Sequence, residues 1–267
     1  MNKTKIDWCD MTWNPVSGCL NDCPYCYARS IAKRFAGGGH DIDGYNFRDE
    51  REVLVDIDLY EPEYHYCSDK GKYIKAAYPA GFTPTFHRYR LEEPQKAKKP
   101  QTIFVCSMGD LFAKNISDEW IDTVLEACSR APQHRYLFLT KNPIRYLELA
   151  NKGLLPSDDN FWYGTSITTD EEPFWWGRNY NTFLSIEPIM GAFEQLDNLI
   201  ENGSSNLNIK WNIVGAETGN RKGKVIPERE WIENILAKSR KNNIPVFMKE
   251  SLRELMGTEF VQEFPWR

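Results

Sequence analysis

Three cysteines fall within eight residues: Cys19, Cys23 and Cys26, in the segment GCLNDCPYCYA (18 to 28). Thiolates are soft ligands that suit iron–sulfur clusters and zinc. The CxxxCxxC spacing supplies three ligands, and three cannot close a four-metal cube. The fourth iron of such a cluster would keep an open position, as catalytic metal sites do and structural ones do not. The amine and carboxylate of an amino acid can chelate that position. An electron passed into a sulfonium held there would break a carbon–sulfur bond and leave a carbon radical able to abstract hydrogen, chemistry that a cofactor supplies and a protein positions. The competing reading is a zinc site made of the same three cysteines and His40, the nearest histidine. Zinc ligands usually come as two short pairs, and the sequence has no second cysteine pair.

The rest of the chain bounds these readings. Seven cysteines is an odd count, which with the tight trio fits metal binding in a reducing compartment better than a disulfide framework. Cys9, Cys67, Cys106 and Cys128 are scattered and read as buried or spare thiols. With 267 residues, 41% hydrophobic and 13% aromatic, the chain can bury one sizeable core. The expectation is one domain over residues 1–267. A formal charge of -5 gives no general basic footprint for phosphate backbones, although a local basic groove stays open. No run approaches the ~18 apolar residues of a membrane helix, and MNKTKIDWCD lacks the apolar core of a signal peptide. The expectation is a cytoplasmic protein without a membrane partner.

The trio needs elements to hold it. Short apolar runs at 102–106, 135–140, 161–166, 182–186, 211–215 and 245–248 read as buried strands, with TWNPVSG (12 to 18) as a first strand. Helical patterning lies between them: Ser117 caps a helix whose apolar positions are Trp120, Ile121, Val124, Leu125 and Cys128. Asn142 before Pro143 is a second cap, and 227–241 repeats the theme with Trp231, Ile232, Ile235 and Leu236. A further helix follows the trio, from Tyr27 to Phe35. Strands alternating with helices predict an α/β fold of parallel units, here an incomplete, TIM-barrel-like β/α barrel of about six to seven strands. Residues 37–100 break the rhythm with prolines and tyrosines and read as an insertion, with GGG (37 to 39) a helix stop and a strand at 83–91. Its aromatics could stack on a substrate base, but most are expected to pack the insertion onto the barrel.

Nearly every strand ends in polar residues: Ser107 and Asp110, Lys141, Ser166 and Thr168, Glu187, Glu217, then Lys249 and Glu250. Carboxyl ends of strands form the active-site rim of parallel barrels, so these side chains should converge on one mouth.

At the cysteine trio, with Tyr25 before its last member, the sequence resembles the radical S-adenosylmethionine superfamily. TWNPVSGC, CYA, FVCSMGDLF, LFLTKNP, GTSITT, FLSIEPIMG and IVGAETG together resemble a phage-associated three-cysteine-motif family of unknown function over nearly the whole chain. Their order is similar to that of spore photoproduct lyase and its relatives. The resemblance implies a [4Fe-4S] cluster on Cys19, Cys23 and Cys26, and S-adenosyl-L-methionine as cofactor. It also implies a flavodoxin- or ferredoxin-like reductant, and a nucleic acid or nucleotide as substrate of a 5'-deoxyadenosyl radical. It places Ser107, Gly109 and Asp110 near the cofactor's amine, Lys141 at its carboxylate, Ser166 and Thr168 at its ribose, and the main chain around Tyr25 at the adenine. Glu187 and Glu217 become cofactor or substrate contacts. Two other functions remain in view: a zinc-stabilised barrel that binds nucleic acid or protein without catalysis, and a radical enzyme acting on a peptide. Three departures stand out: Asp110 is an offset acid in a segment that the superfamily usually writes glycine-glycine-glutamate. Gly215, Ala216, Glu217 and Thr218 stand where the family more often has two glycines and a serine, and Cys9 sits where a non-thiol is expected.

Overall fold

The computed structural model describes residues 1–35, 57–194 and 209–267. In chain order the elements are β1 (Asn2–Lys3), β2 (Met11–Trp13), β3 (Val16–Ser17), α1 (Tyr27–Phe35), β4 (Ile57–Leu59), β5 (Tyr64–Cys67), β6 (Lys72–Lys75), β7 (Thr85–His87), α2 (Glu93–Lys96) and β8 (Thr102–Val105). Then come α3 (Asp118–Ser129), β9 (Arg135–Thr140), α4 (Ile144–Asn151), β10 (Phe161–Ile167), β11 (Asn181–Ile186), β12 (Ile209–Val214), α5 (Arg229–Lys241), β13 (Val246–Met248) and α6 (Arg253–Met256). An eight-stranded sheet runs β1-β2-β8-β9-β10-β11-β12-β13. Only β1 is antiparallel to its neighbour; the other pairings are parallel. β1 and β13 are not paired with each other, so the sheet is open. The fold is α/β with a large, mostly parallel sheet.

Alternation along the strands assigns two faces. Ile103, Val105, Tyr136, Phe138, Phe161 and Tyr163 pack with Trp120, Ile121, Val124, Leu125 and Cys128 of α3. Leu184, Ile186, Val214, Val246 and Met248 pack with Ile232, Ile235 and Leu236 of α5. The intervening residues Phe104, Leu137, Trp162, Phe183, Trp211, Ile213 and Phe247 form a separate cluster with Trp8 on the opposite face. Fully burying a side chain of this kind is worth roughly 1.5–3 kcal/mol. A one-residue slip would exchange the two sets, so register is strongly fixed. The opposite face is concave. The Trp8 ring lies 4.6 Å from Phe104 and 6.4 Å from Trp211 between centroids. Those strands are four places apart, roughly 19 Å on a flat sheet.

Several local expectations match: α1 spans Tyr27–Phe35, and Ser117 Oγ accepts the Trp120 N–H at 3.2 Å. Others differ for physical reasons. The expected first strand, 12–18, is two short strands in different sheets. Pro15 has no N–H for a ladder, and the Asn14 side chain is taken up by the loop after β8. Asn142 does not cap α4 with its side chain; its amide donates to the Phe112 carbonyl at 3.0 Å. The strand expected at 83–91 is confined to β7 and gives way to a 3₁₀ turn at Arg88–Arg90. No helix crosses between β10 and β11.

The glycine stop at 37–39, His40 and the first part of the expected insertion lie outside the described residues. Its remainder supplies β4 and β7, which join β3 in a three-stranded sheet, and the hairpin β5–β6. Among the described residues, no helix is long and apolar enough to cross a membrane.

Candidate active site at the cysteine loop

The cysteine loop leaves β3 at Gly18, whose φ of 85° lies in the left-handed region. A Cβ there would stand 2.3 Å from the Thr83 carbonyl oxygen. The Gly18 N–H donates to Met108 O at 2.8 Å, and the Cys19 N–H to Phe82 O at 3.0 Å. From the other side, Asn14 Oδ1 accepts from Ser107 Oγ at 3.2 Å and from the Met108 N–H at 2.9 Å. The loop is thus bolted to the end of β8 on one side and to the 82–83 segment on the other.

Within the loop, two sulfurs accept backbone N–H groups, Cys19 Sγ from Asn21 and Cys26 Sγ from Arg29, both at 3.3 Å. Cys26 immediately precedes α1 and occupies its cap position, accepting the N–H three residues on. The Arg29 guanidinium reaches back to the Asn21 carbonyl at 2.6 Å and closes the loop. Burial, helped by the Asp110 charge, pushes the Cys19 thiol up to about 12. Burial also raises Cys23, against the pull of Lys141. The Cys19 and Cys23 thiols are therefore held protonated when free, and a bound metal would supply the positive charge that removes those protons.

Cys19, Cys23 and Cys26 line one cavity of about 220 Å³, together with Tyr25, Ser107, Gly109, Asp110, Lys141, Ser166, Glu187 and Glu217. At ~30 Å³ per water it has room for roughly seven waters, more than a single ion needs. Of the expected rim, Thr168 and Glu250 are absent from the lining. The Thr168 hydroxyl donates to Glu172 Oε2 at 3.0 Å, and Glu250 pairs with Arg253 at the surface.

Three lining groups have partners of their own. Asp110 is buried and accepts from Thr140 Oγ1 at 3.0 Å and from the N–H groups of Lys141 and Phe112 at 3.1 Å. Burial raises its pKa against those bonds. Its carboxylate ties the ends of β8 and β9 together. Glu217 is held by Arg221 through two hydrogen bonds, at 2.6 and 2.7 Å. Glu187 pairs with Lys249, which lines the cavity too. The Lys141 ammonium lies 5.4 Å from the centre of the Tyr25 ring. Burial works to lower its pKa, but the Tyr25 hydroxyl and the charges of Tyr25, Cys23 and Glu172 leave it raised.

Trp8, Phe104, Leu139 and Ser185 also line the cavity, and sequence reading missed them as site residues. Strand alternation could have found Leu139 and Ser185, which stand on β9 and β11 two residues before Lys141 and Glu187. Among the described residues no three His, Cys, Asp or Glu side chains gather as ligands of a single metal ion. In a four-iron cube each thiolate binds a different iron, so its sulfurs stand farther apart than ligands of one ion. A soft trio on one wall of a cavity, with N–H groups on two sulfurs, fits such a cluster.

The fold and site together define an α/β protein with a cysteine loop at the carboxyl edge of a parallel sheet. The chain belongs to the DUF5131 family, described as a protein of unknown function, which matches residues 3–255. No curated protein matches it. Among solved structures, spore photoproduct lyase complexed with dinucleoside spore photoproduct is similar at 10% identity, covering 88% of this chain and 75% of that one, with a TM-score of 0.46. A likeness that weak assigns neither fold nor activity.

Proposed function

We propose that this chain is a radical S-adenosylmethionine enzyme in which Cys19, Cys23 and Cys26 hold a [4Fe-4S] cluster, and the adjoining cavity holds S-adenosyl-L-methionine. One observation carries the reading: three thiols from a single loop and the polar ends of successive parallel strands line the same cavity. The carboxyl edge is where parallel barrels place their chemistry, and the concave face supports reading the sheet as an incomplete barrel of six to seven parallel strands in one domain. A cluster held by Cys19, Cys23 and Cys26 would supply reductive cleavage of the bound sulfonium, with methionine as one product and hydrogen abstraction from substrate as the outcome.

The chain's own groups bind, orient and shield. Lys141 meets the cofactor carboxylate, the Ser107–Gly109 loop its amine, Ser166 its ribose, and the main chain around Tyr25 its adenine. Asp110 serves by fixing the loops that carry these contacts, since its oxygens are taken. Trp8, Phe104 and Leu139 form an apolar wall that keeps water from a reactive carbon. In this reading Glu187 and Glu217 face the substrate, a nucleic acid or nucleotide, and a flavodoxin- or ferredoxin-like protein supplies the electron.

Anaerobic reconstitution tests the reading. Iron and sulfide should appear in equal amounts, with broad absorption toward the blue end of the visible spectrum. Added reductant and S-adenosylmethionine should release 5'-deoxyadenosine. C23A should lose both properties; release that survives C23A would sink the mechanism. One zinc per chain without sulfide would point instead to a zinc-stabilised binder.

A further inference from the structure

Of the eleven large apolar side chains most exposed among the described residues, four are tyrosines clustered at 60–73: Tyr60, Tyr64, Tyr66 and Tyr73, each 55–71% exposed. The expectation that the aromatics of this segment mostly pack onto the sheet fails for these four. Three of them stand on β5–β6. In that hairpin Tyr66 is directly opposite Tyr73 and Tyr64 opposite Lys75. Opposite residues share a face, and so do residues two apart, so Tyr64, Tyr66 and Tyr73 project from one side. Tyr66 and Tyr73 meet edge to face at 5.4 Å. Exposing this much aromatic surface is unfavourable unless something covers it.

The charges on the hairpin select what covers it. Between Tyr64 and Lys75 the chain carries Lys70, Lys72 and Lys75 against Asp69, in a protein whose formal charge is -5. Glu61 and Glu63 precede the hairpin. Lys70 and Lys72 are exposed at its tip, and Lys75 sits 4.3 Å over the Tyr89 ring. Exposed rings interleaved with lysines match a chain of stacked bases joined by phosphates. A duplex hides the faces of its bases, whereas a single strand offers them. The hairpin also lies close to the site. Six residues separate Lys75 from Phe82, which lines the cavity, so the two are within roughly 25 Å.

We propose that the β5–β6 hairpin binds single-stranded nucleic acid, stacking bases on Tyr64, Tyr66 and Tyr73 and meeting phosphates with Lys70 at its tip and Lys75 on the same face, near the cysteine-lined cavity. This deepens the proposed function by naming how its substrate class is held, yet the binding itself requires neither cluster nor cofactor.

The test is fluorescence anisotropy on the full chain with labelled oligonucleotides of about 12 nucleotides, as single-stranded DNA, single-stranded RNA and the matching duplex. Single strands should bind at least about tenfold tighter than duplex, and either sugar supports the proposal. Y66A and Y73A should each weaken binding on the order of tenfold, while Y66F and Y73F retain it. K70E with K75E should weaken binding to all sequences and flatten its salt dependence. Circular dichroism should show all variants folded, because the substituted side chains are exposed. Alanine variants that bind like the wild type, or duplex bound as well as single strands, would overturn the proposal. So would a dimer of this chain that Y66A dissolves, since a second copy would then be the occupant. Release of 5'-deoxyadenosine without substrate should be unchanged in Y66A, which separates this inference from the radical reading: either can fail alone.

Discussion

Gly18 and Gly109 pair as an isolated parallel bridge, with the ideal Cβ position of Gly109 only 2.7 Å from the Gly18 carbonyl oxygen. This contact seats the cysteine loop against the end of β8. At Gly18 a side chain would meet the Thr83 carbonyl and also adopt φ of 85°, whereas Gly219, at φ 87°, has nothing within 4 Å of its Cβ position. G219A should therefore cost only backbone strain, about 1 kcal/mol. G18A should cost about 1–3 kcal/mol more, from crowding against backbone that cannot swing aside. Thermal unfolding reads the difference, at roughly 2–4 °C per kcal/mol for a chain near this size. Iron uptake on reconstitution should fall in G18A and G109A and stay normal in G219A.

Lys141 is the cation nearest the trio's aromatic neighbour, with its ammonium 5.4 Å from the Tyr25 ring centre. K141M should leave iron and sulfide at wild-type levels, because the lysine is no cluster ligand. It should weaken S-adenosylmethionine binding about tenfold or more, the worth of one charge-assisted hydrogen bond. Equilibrium dialysis of the reconstituted protein measures this, and an unchanged affinity would remove Lys141 from the carboxylate.

Much of this architecture was legible in the chain because strands write period-two patterns and helices write caps. Tyr136, Phe138 and Thr140 alternate with Leu137, Leu139 and Lys141, and that alternation alone sends Lys141 to the cavity side. Long-range fits were not legible. Nothing local marks Asn14 as the acceptor for Ser107 and Met108, or Gly109 as the neighbour of Gly18, because those contacts join segments some ninety residues apart. Thr168 follows β10 and shares the parity of Ser166 near its end, but Glu172 captures its hydroxyl, a pairing that depends on the path of a loop without helix periodicity. Asp110 was visible as a polar strand end. Its use as a tie between β8 and β9 depends on donors from Thr140 and Lys141 that only the assembled sheet supplies.

Lys249, after β13, reaches across the end of β12 to pair with Glu187, after β11. Gly215 makes the crossing feasible: a Cβ there would lie 2.8 Å from Lys249 Cδ. That atom belongs to a flexible side chain, so G215A should displace the lysine rather than unfold the sheet. Both partners are partly exposed, and such pairs contribute about 0–1 kcal/mol. Stability should therefore change by no more than about 1 kcal/mol. Displaced from its carboxylate, the amine should be more accessible, so acylation of Lys249, followed by mass spectrometry, should run faster in G215A. An unchanged rate would mean that the pair survives.

His87 is fully buried beneath the cysteine loop, with Nε2 2.8 Å from Ser17 Oγ and Nδ1 3.3 Å from the Tyr89 hydroxyl. Burial, with the nearby charges of Arg90 and Lys75, lowers its pKa from 6.5 to about 3. The unfolded chain binds a proton at this residue below about 6.5, and the folded chain does not until about pH 3. Stability from the neutral ring is thus fully present above pH 6.5 and is lost as pH falls through the interval toward 3, at up to about 1.4 kcal/mol per pH unit. Urea unfolding between pH 7 and pH 4 should show that decline. H87Q gives up the titration while keeping hydrogen-bonding atoms near Ser17. It should start less stable at pH 7 and decline less steeply, so the two curves converge on acidification. Parallel curves would mean that His87 is not the group whose protonation unlocks the wall behind the cysteine loop.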